Sequence, residues 1–365
     1  MFRYWGVGMD DLRALRAAVV SARERAAGDE SRLPELGWAI YAYCLELRNH
    51  QDPLTNAYLE ILEEGIGLLR RLQRRDQGFI GALGLMLGWQ GHAQLQLGRT
   101  EQSRESLVEG TALLRQGARQ RIGTQHYELY ETQLARALGL SAFALSAAGE
   151  HQAALSSARE ALGIWRTRAA EQPGQHDHSV FRALDTVGYL LSLRRRFEDA
   201  WGYAEEALAI ARRIYAAEPD RDNTRLVANA LDRLAALHAN SGQWEEALPL
   251  LEESVSLYGE AGRRGPFKYS LTHASALNNA AKAYLELGQR DRAQARAQSA
   301  AMRCALSARR AADVASLQTV AQDIVNVLGE VGLDNLARTL AKVVNRRLTG
   351  KASAWSTLLG AFRRG

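Results

Sequence analysis

Apolar and polar positions along this chain follow the period of a helix, and the helical segments come in pairs. Around residue 190, Leu184, Val187, Gly188 and Leu191 fall at i, i+3, i+4 and i+7, one face of a helix expected over 179–193. A second stripe, Ala200, Ala204, Ala207, Leu208 and Ala211, predicts a helix over 197–215 that faces back onto the first. The next pair carries Leu231, Leu234, Ala235 and His238, then Ala247, Leu250, Leu251 and Ser254. The one after carries Leu277, Ala280, Ala281 and Tyr284, then Ala293, Ala297 and Ala300. Small residues such as Gly188, Ala200 and Ala207 let two helix backbones approach. A large side chain at any of them is expected to overpack the interface, at a cost of about 1–3 kcal/mol.

Between the two stripes of each pair the chain rewrites one turn. Gly242-Gln243-Trp244-Glu245-Glu246-Ala247 returns as Gly288-Gln289-Arg290-Asp291-Arg292-Ala293 and as Gly149-Glu150-His151-Gln152-Ala153-Ala154. Looser copies run from Gly98 to Ser103 and from Arg195 to Ala200. Anchored on the small residue after the turn, the repeat passes through Ser103, Ala154, Ala200, Ala247 and Ala293, with a weaker member placed by spacing at Ala57 and a degenerate one at Ala337. The steps are 46, 51, 46, 47, 46 and 44 residues. A fixed period in this range defines a solenoid, in which each unit packs only on its neighbours. Breaker clusters at Gln172-Pro173-Gly174, Glu218-Pro219-Asp220 and Arg264-Gly265-Pro266 separate the pairs. The expectation is an all-α solenoid of about six helix pairs over 1–310, with a weak first unit over 9–75 and clearer units over 76–310. A capping helix pair over 311–350 and a basic amphipathic tail over 351–365 complete the chain.

The residues carrying this pattern also match a family. "ALNNAAKAYLELGQRDRA" (Ala276–Ala293), "ALDRLAALHANSGQWEEALPLLEESVSLY" (Ala230–Tyr258) and the stretch Ala158–Ala200 resemble the tetratricopeptide repeat. The step near 46 residues resembles its long form, found in kinesin light chains and in many high-GC bacterial proteins. The resemblance implies a right-handed stack whose first helices line a concave groove that binds a peptide or a partner helix. It also implies that an asparagine at Asn278 or Asn279 contacts the ligand backbone.

Composition narrows the picture. With 47% apolar and 24% charged residues the chain has ordinary globular chemistry, and its six prolines are few enough for a nearly all-helical protein. The net charge of +5 raises the question of nucleic acid. Only four of the 46 basic residues are lysines (Lys268, Lys282, Lys342 and Lys351). The arginine pairs 70–71, 74–75, 212–213, 309–310 and 346–347 fall where second helices should end, where cations complement the negative helix terminus. No basic stripe beside exposed aromatics stands out, so nucleic acid is disfavoured as a partner. Cys44 and Cys304 lie far apart on apolar faces and read as buried small hydrophobes in a reducing, cytoplasmic setting. The longest apolar run, Phe79 to Trp89, has 11 residues with three glycines, too short for a bilayer span.

Chemistry beyond binding is hard to assemble. His176-Asp177-His178 offers two ligands without a third, and Asp177 or Ser179 reads better as a helix cap. His238 and His273 sit on helical faces as core residues. Gly81, Gly84, Gly88 and Gly91 recur at helical spacing and suggest close helix packing instead of a phosphate loop. No catalytic residue, metal site or cofactor is expected. The candidate groove residues are Arg182, Asp185 and Tyr189, then Asn229, Asp232 and Arg233, then Asn278, Asn279 and Lys282, on the side of each first helix away from the packing stripe. Asparagine amides both donate and accept, and the cations would select an acidic peptide. In the tail, Trp355, Leu358, Leu359 and Phe362 form one apolar face flanked by Lys351, Arg363 and Arg364. That face would dock on its own solenoid or a partner, with a membrane the least favoured surface. The functional expectation is a non-enzymatic scaffold that binds another protein or peptide. The alternative is a regulatory sensor gating a bacterial signalling or defence effector in trans, an ATPase or a caspase-like protease, with a flexible joint at 81–91 and at the 103–154 step. Phe2, Tyr4 and Trp5 leave a homo-oligomer open.

Overall fold

The computed structural model describes residues 12–49, 56–120, 127–263, 270–308 and 314–348. Among them there is no strand. Fifteen helices follow one another: α1 (Leu12–Ala27), α2 (Leu33–Asn49), α3 (Asn56–Gln73), α4 (Ile80–Gln96), α5 (Thr100–Gln120), α6 (Tyr127–Ala147), α7 (His151–Glu171), α8 (Asp177–Leu193), α9 (Phe197–Ala217), α10 (Arg221–Asn240), α11 (Trp244–Arg263), α12 (Ser270–Glu286), α13 (Arg290–Ala308), α14 (Val314–Glu330) and α15 (Asp334–Leu348). The chain divides into two compact units, residues 1–190 and 191–365.

The repeated turn is a helix C-cap. In each of its six described copies the second residue after the first helix takes a left-handed conformation: Gly98, Gly149, Arg195, Gly242, Gly288 and Gly332, with φ between 57° and 84°. The following amide then reaches back to a carbonyl five residues earlier, as in Arg99 N–H to Gln94 O (2.9 Å) and Gln289 N–H to Tyr284 O (2.8 Å). This closes the carbonyl end of the helix and reverses the chain within three residues. Glycine suits the position because it has no Cβ to clash. Arg195 alone among the six carries one.

Four residues into the next helix comes the small side chain. Ser103, Ala154, Ala200, Ala247, Ala293 and Ala337 each occupy the fourth position of their helix, and all are buried. The spacing argument misplaced the first member of the series. Ala57 is exposed, and the fourth position of α3 is the buried Leu59. Without a glycine turn before α3 there was no landmark to set the register there.

In unit 1 the closest approach joins α4 to α5. A Cβ on Gly84 would stand 2.9 Å from Leu114 Cγ and 3.0 Å from the Gly110 carbonyl, and one on Gly91 would meet Leu107 Cγ at 2.5 Å. The hydroxyl of Ser103 donates to the Gly91 carbonyl at 2.7 Å. These glycines make a tight helix interface, which overturns the flexible joint expected at 81–91. Around it, Ile40, Cys44, Leu62, Leu69 and Met86 form one core and Leu114, Leu134, Leu138 and Ala161 another. In unit 2 a single core runs from α10 to α15 through Leu251, Tyr258, Leu277, Cys304, Leu317, Ile324 and Leu340. Loop chemistry also acts as the sequence suggests, since Asp220 caps α10 by accepting from the Asn223 amide at 2.6 Å. No described helix is long and apolar enough to cross a membrane.

Candidate first-helix interaction faces

Counting back from each left-handed turn residue puts the first helices in a common register. In unit 2, the thirteenth residue before the turn is Asn229, Ser275 or Thr319, and the tenth is Asp232, Asn278 or Gln322. The ninth is Arg233, Asn279 or Asp323, and the sixth is Ala236, Lys282 or Asn326. The six candidates of unit 2 fall on these four rows, and Arg182, Asp185 and Tyr189 of unit 1 stand thirteenth, tenth and sixth before Arg195.

Sharing a row does not make them equally open. Asn229 and Asp232 turn toward α11 instead of away from it. The Tyr258 hydroxyl donates to Asn229 Oδ1 (2.5 Å) and to Asp232 Oδ2 (3.2 Å), and the Ser254 hydroxyl donates to Asp232 Oδ1 (2.6 Å). A buried tyrosine hydroxyl needs an acceptor, and the pattern of apolar spacing could not show that the acceptor stands on α10. Burial pushes the Asp232 carboxyl up to about 6, against the lowering pull of those two hydrogen bonds and of Arg233. Next to this cluster the His273 ring stacks on Tyr258, 6.4 Å between centroids. Burial, reinforced by Arg303 and Arg296, lowers its imidazole to about 4 and keeps it neutral. Asn278 is only 2% exposed, so it does not stand on an open face, and its Oδ1 finds no donor. Asn279 and Lys282 are half-buried, and Arg233 is exposed.

In unit 1, Arg182 is exposed while Asp185 and Tyr189 are half-buried. Tyr189 lies against Phe143 of α6, with ring centroids 6.4 Å apart. Phe143 occupies the same row as Tyr189, and Arg136 the same row as Arg182. Sequence reasoning missed Phe143, Arg136 and, seven residues earlier again, Leu129. Applying the turn offset to α6 would have found them.

Other candidates resolve into structure. α8 begins at Asp177, with the Ser179 and Val180 amides closing on the His176 carbonyl (2.9 and 3.0 Å), so neither Asp177 nor Ser179 stands before the helix as its cap. His238 packs edge-on against Trp201, 4.3 Å between centroids, and meets Gln243 through Nδ1 at 3.0 Å. Among the described residues no group of three or more His, Cys, Asp or Glu side chains could hold a metal ion. Both cysteines are buried, and desolvation raises each thiol to about 12.

The arginines do more than face their own helix ends. In unit 1, Arg23 pairs with Glu64, Arg70 with Glu109 (2.6 Å) and Arg115 with Glu160 (2.7 Å). Arg71 and Arg75 both reach Glu30 (3.6 Å). In unit 2, Arg212 pairs with Glu253 (3.1 Å) and Arg296 with Glu252 (2.5 Å). The long guanidinium arms span the gap between neighbouring helices, which explains a preference for arginine over lysine there. The tail residues Trp355, Leu358, Leu359 and Phe362, and Phe2, Tyr4 and Trp5, lie outside the described residues.

Stacked helix hairpins joined by one repeated turn define the class: an all-α solenoid. A family model for the tetratricopeptide repeat matches residues 180–220 and 227–261, so those two stretches carry tetratricopeptide repeats. No curated protein matches it by sequence. Among solved structures it is similar to the apo form of RapI (13% identity, TM-score 0.58, covering 86% of this chain and 99% of that one). It is also similar to BtubC (BKLC) from P. vanneervenii (17%, TM-score 0.53, 70% and 92%). A third is a Signal Transduction ATPase with Numerous Domains that has a tetratricopeptide repeat sensor, from Pyrococcus horikoshii (16%, TM-score 0.54). That match takes in 96% of this chain and 51% of the other.

Proposed function

We propose that the protein is a non-catalytic interaction module that binds a peptide or partner helix on its first-helix faces. The observation that carries this reading is Asn278. A buried amide oxygen without a donor leaves a hydrogen bond unmade, and such groups in folded proteins call for an explanation. A ligand backbone N–H docking beside Asn279 and Lys282 would supply the missing donor once the Asn278 side chain turns outward from its buried position. The test is affinity capture from cell lysate, comparing the wild type with Asn278→Ala/Asn279→Ala/Arg233→Ala. A partner lost from the triple variant at unchanged helicity supports the reading. A partner retained moves the working surface elsewhere.

A sensor that gates an effector in trans is the second reading. It is favoured by the likeness to a solved ATPase whose repeats are described as a sensor. X-ray scattering with and without the captured partner separates the two, since a scaffold keeps its profile and a sensor changes it.

A further inference from the structure

Unit 1 presents a first-helix face of different chemistry from the amide-rich rows of unit 2. On α6, Leu129, Arg136 and Phe143 are seven residues apart. Two helical turns bring each back to almost the same angle, so they form one line with about 10 Å between members. Leu129 is 52% exposed and Phe143 40%, and Arg136 between them is exposed as well. On α8, Arg182 and Tyr189 repeat the alternation at the same spacing. The tilted contact between the Tyr189 and Phe143 rings sets the two lines side by side. The result is a row of apolar and aromatic surface next to a row of guanidinium groups.

From this arrangement, and resting on the binding role proposed above, we propose that the α6–α8 face of unit 1 docks an acidic amphipathic segment of another protein. Its apolar side chains would cover Leu129, Phe143 and Tyr189, and its carboxylates would meet Arg136 and Arg182. Charge selects this occupant. The chain's own tail places Lys351, Arg363 and Arg364 around its apolar residues and would bring like charge to the arginine row. Single-stranded nucleic acid would use the aromatics and arginines, but it has no use for the aliphatic member of the α6 line. Leu129 has no ring on which a base stacks.

The test is a fluorescence-anisotropy titration of the full chain with a labelled designed helical peptide. The peptide carries Leu and Phe at i, i+3, i+4 and i+7 and Glu on its other faces. The expected result is binding about tenfold tighter than that of the counterpart with Lys for every Glu. Phe143→Ser, Leu129→Ser and Arg182→Glu should each weaken it by about fivefold or more, with circular dichroism unchanged. All three positions are exposed, so the variants fold. Equal or tighter binding of the Lys peptide, or tighter binding of an oligouridylate, overturns the proposal. So does a Glu peptide that these variants leave unaffected. If Asn279→Ala/Lys282→Ala abolishes its binding while Phe143→Ser does not, unit 2 is the docking face. The proposed binding role then stands and this inference falls.

Discussion

At Arg195 the chain holds a residue with a Cβ in a conformation that glycine fills at the five other described turns. The left-handed region costs a non-glycine residue about 1–2 kcal/mol, part of which glycine returns through its more flexible unfolded state. Arg195→Gly should therefore stabilise unit 2 by about 1 kcal/mol, raising its thermal midpoint by a few degrees. A lower midpoint would mean that the arginine side chain contributes more than its backbone strain costs. Helix-interior glycines give a paired expectation of opposite sign. Gly84→Ala forces a methyl against Leu114 and the Gly110 carbonyl and should cost about 1–3 kcal/mol. Gly163→Ala adds a methyl into open space on α7 and should gain somewhat under about 1 kcal/mol from helix propensity alone. Urea denaturation of the two variants reads both signs, and a stabilised Gly84→Ala would refute the close-packing role.

Within the α10–α12 element, two buried titratable groups act against each other. The raised Asp232 carboxyl takes up its proton in the folded state first, so this group adds stability as pH falls through about 6 toward its ordinary value of 3.8. The lowered His273 imidazole stays neutral in the folded state while the unfolded chain protonates. Its contribution is intact above 6.5 and is lost as pH falls toward about 4. Over the shared window the two largely offset. Asp232→Asn should leave unit 2 losing stability more steeply on acidification, and His273→Phe should leave it gaining stability. Thermal midpoints at pH 4.5 and 6.5 test this, and parallel slopes in both variants would refute it. These elements also mark what was legible in the sequence. The helices, their turns and six of seven small-residue positions follow from spacing, because apolar periodicity and glycine turns are local signals. Asn229 and Asp232 carried the same polar pattern as Arg233, yet they satisfy Tyr258 while Arg233 is exposed. Which polar residue a neighbouring helix claims is set by packing between helices, and no local pattern records it. Where the turn signal was absent, before α3, the register slipped by two residues.

On the scale of the whole molecule, a solenoid's stability is a sum over local interfaces, so distant parts need not unfold together. Each compact unit has core residues of its own and one buried cysteine, Cys44 in the first core of unit 1 and Cys304 in the core of unit 2. With both thiols raised to about 12, alkylation at neutral pH requires opening of the surrounding structure. Pulsed iodoacetamide labelling across a urea series, read site by site by mass spectrometry, therefore reports each unit separately. Gly84→Ala weakens the α4–α5 interface of unit 1, and a cost of about 1–3 kcal/mol corresponds to a midpoint shift of about 1 M urea. That shift should appear at Cys44 and leave Cys304 in place. Arg195→Gly should do the reverse, moving the Cys304 midpoint upward and leaving Cys44 in place. If either substitution shifted both thiols equally, the chain would be unfolding as one cooperative body. Binding to one unit would then stabilise the other, and the sensor reading would gain a thermodynamic basis that two independent units do not provide.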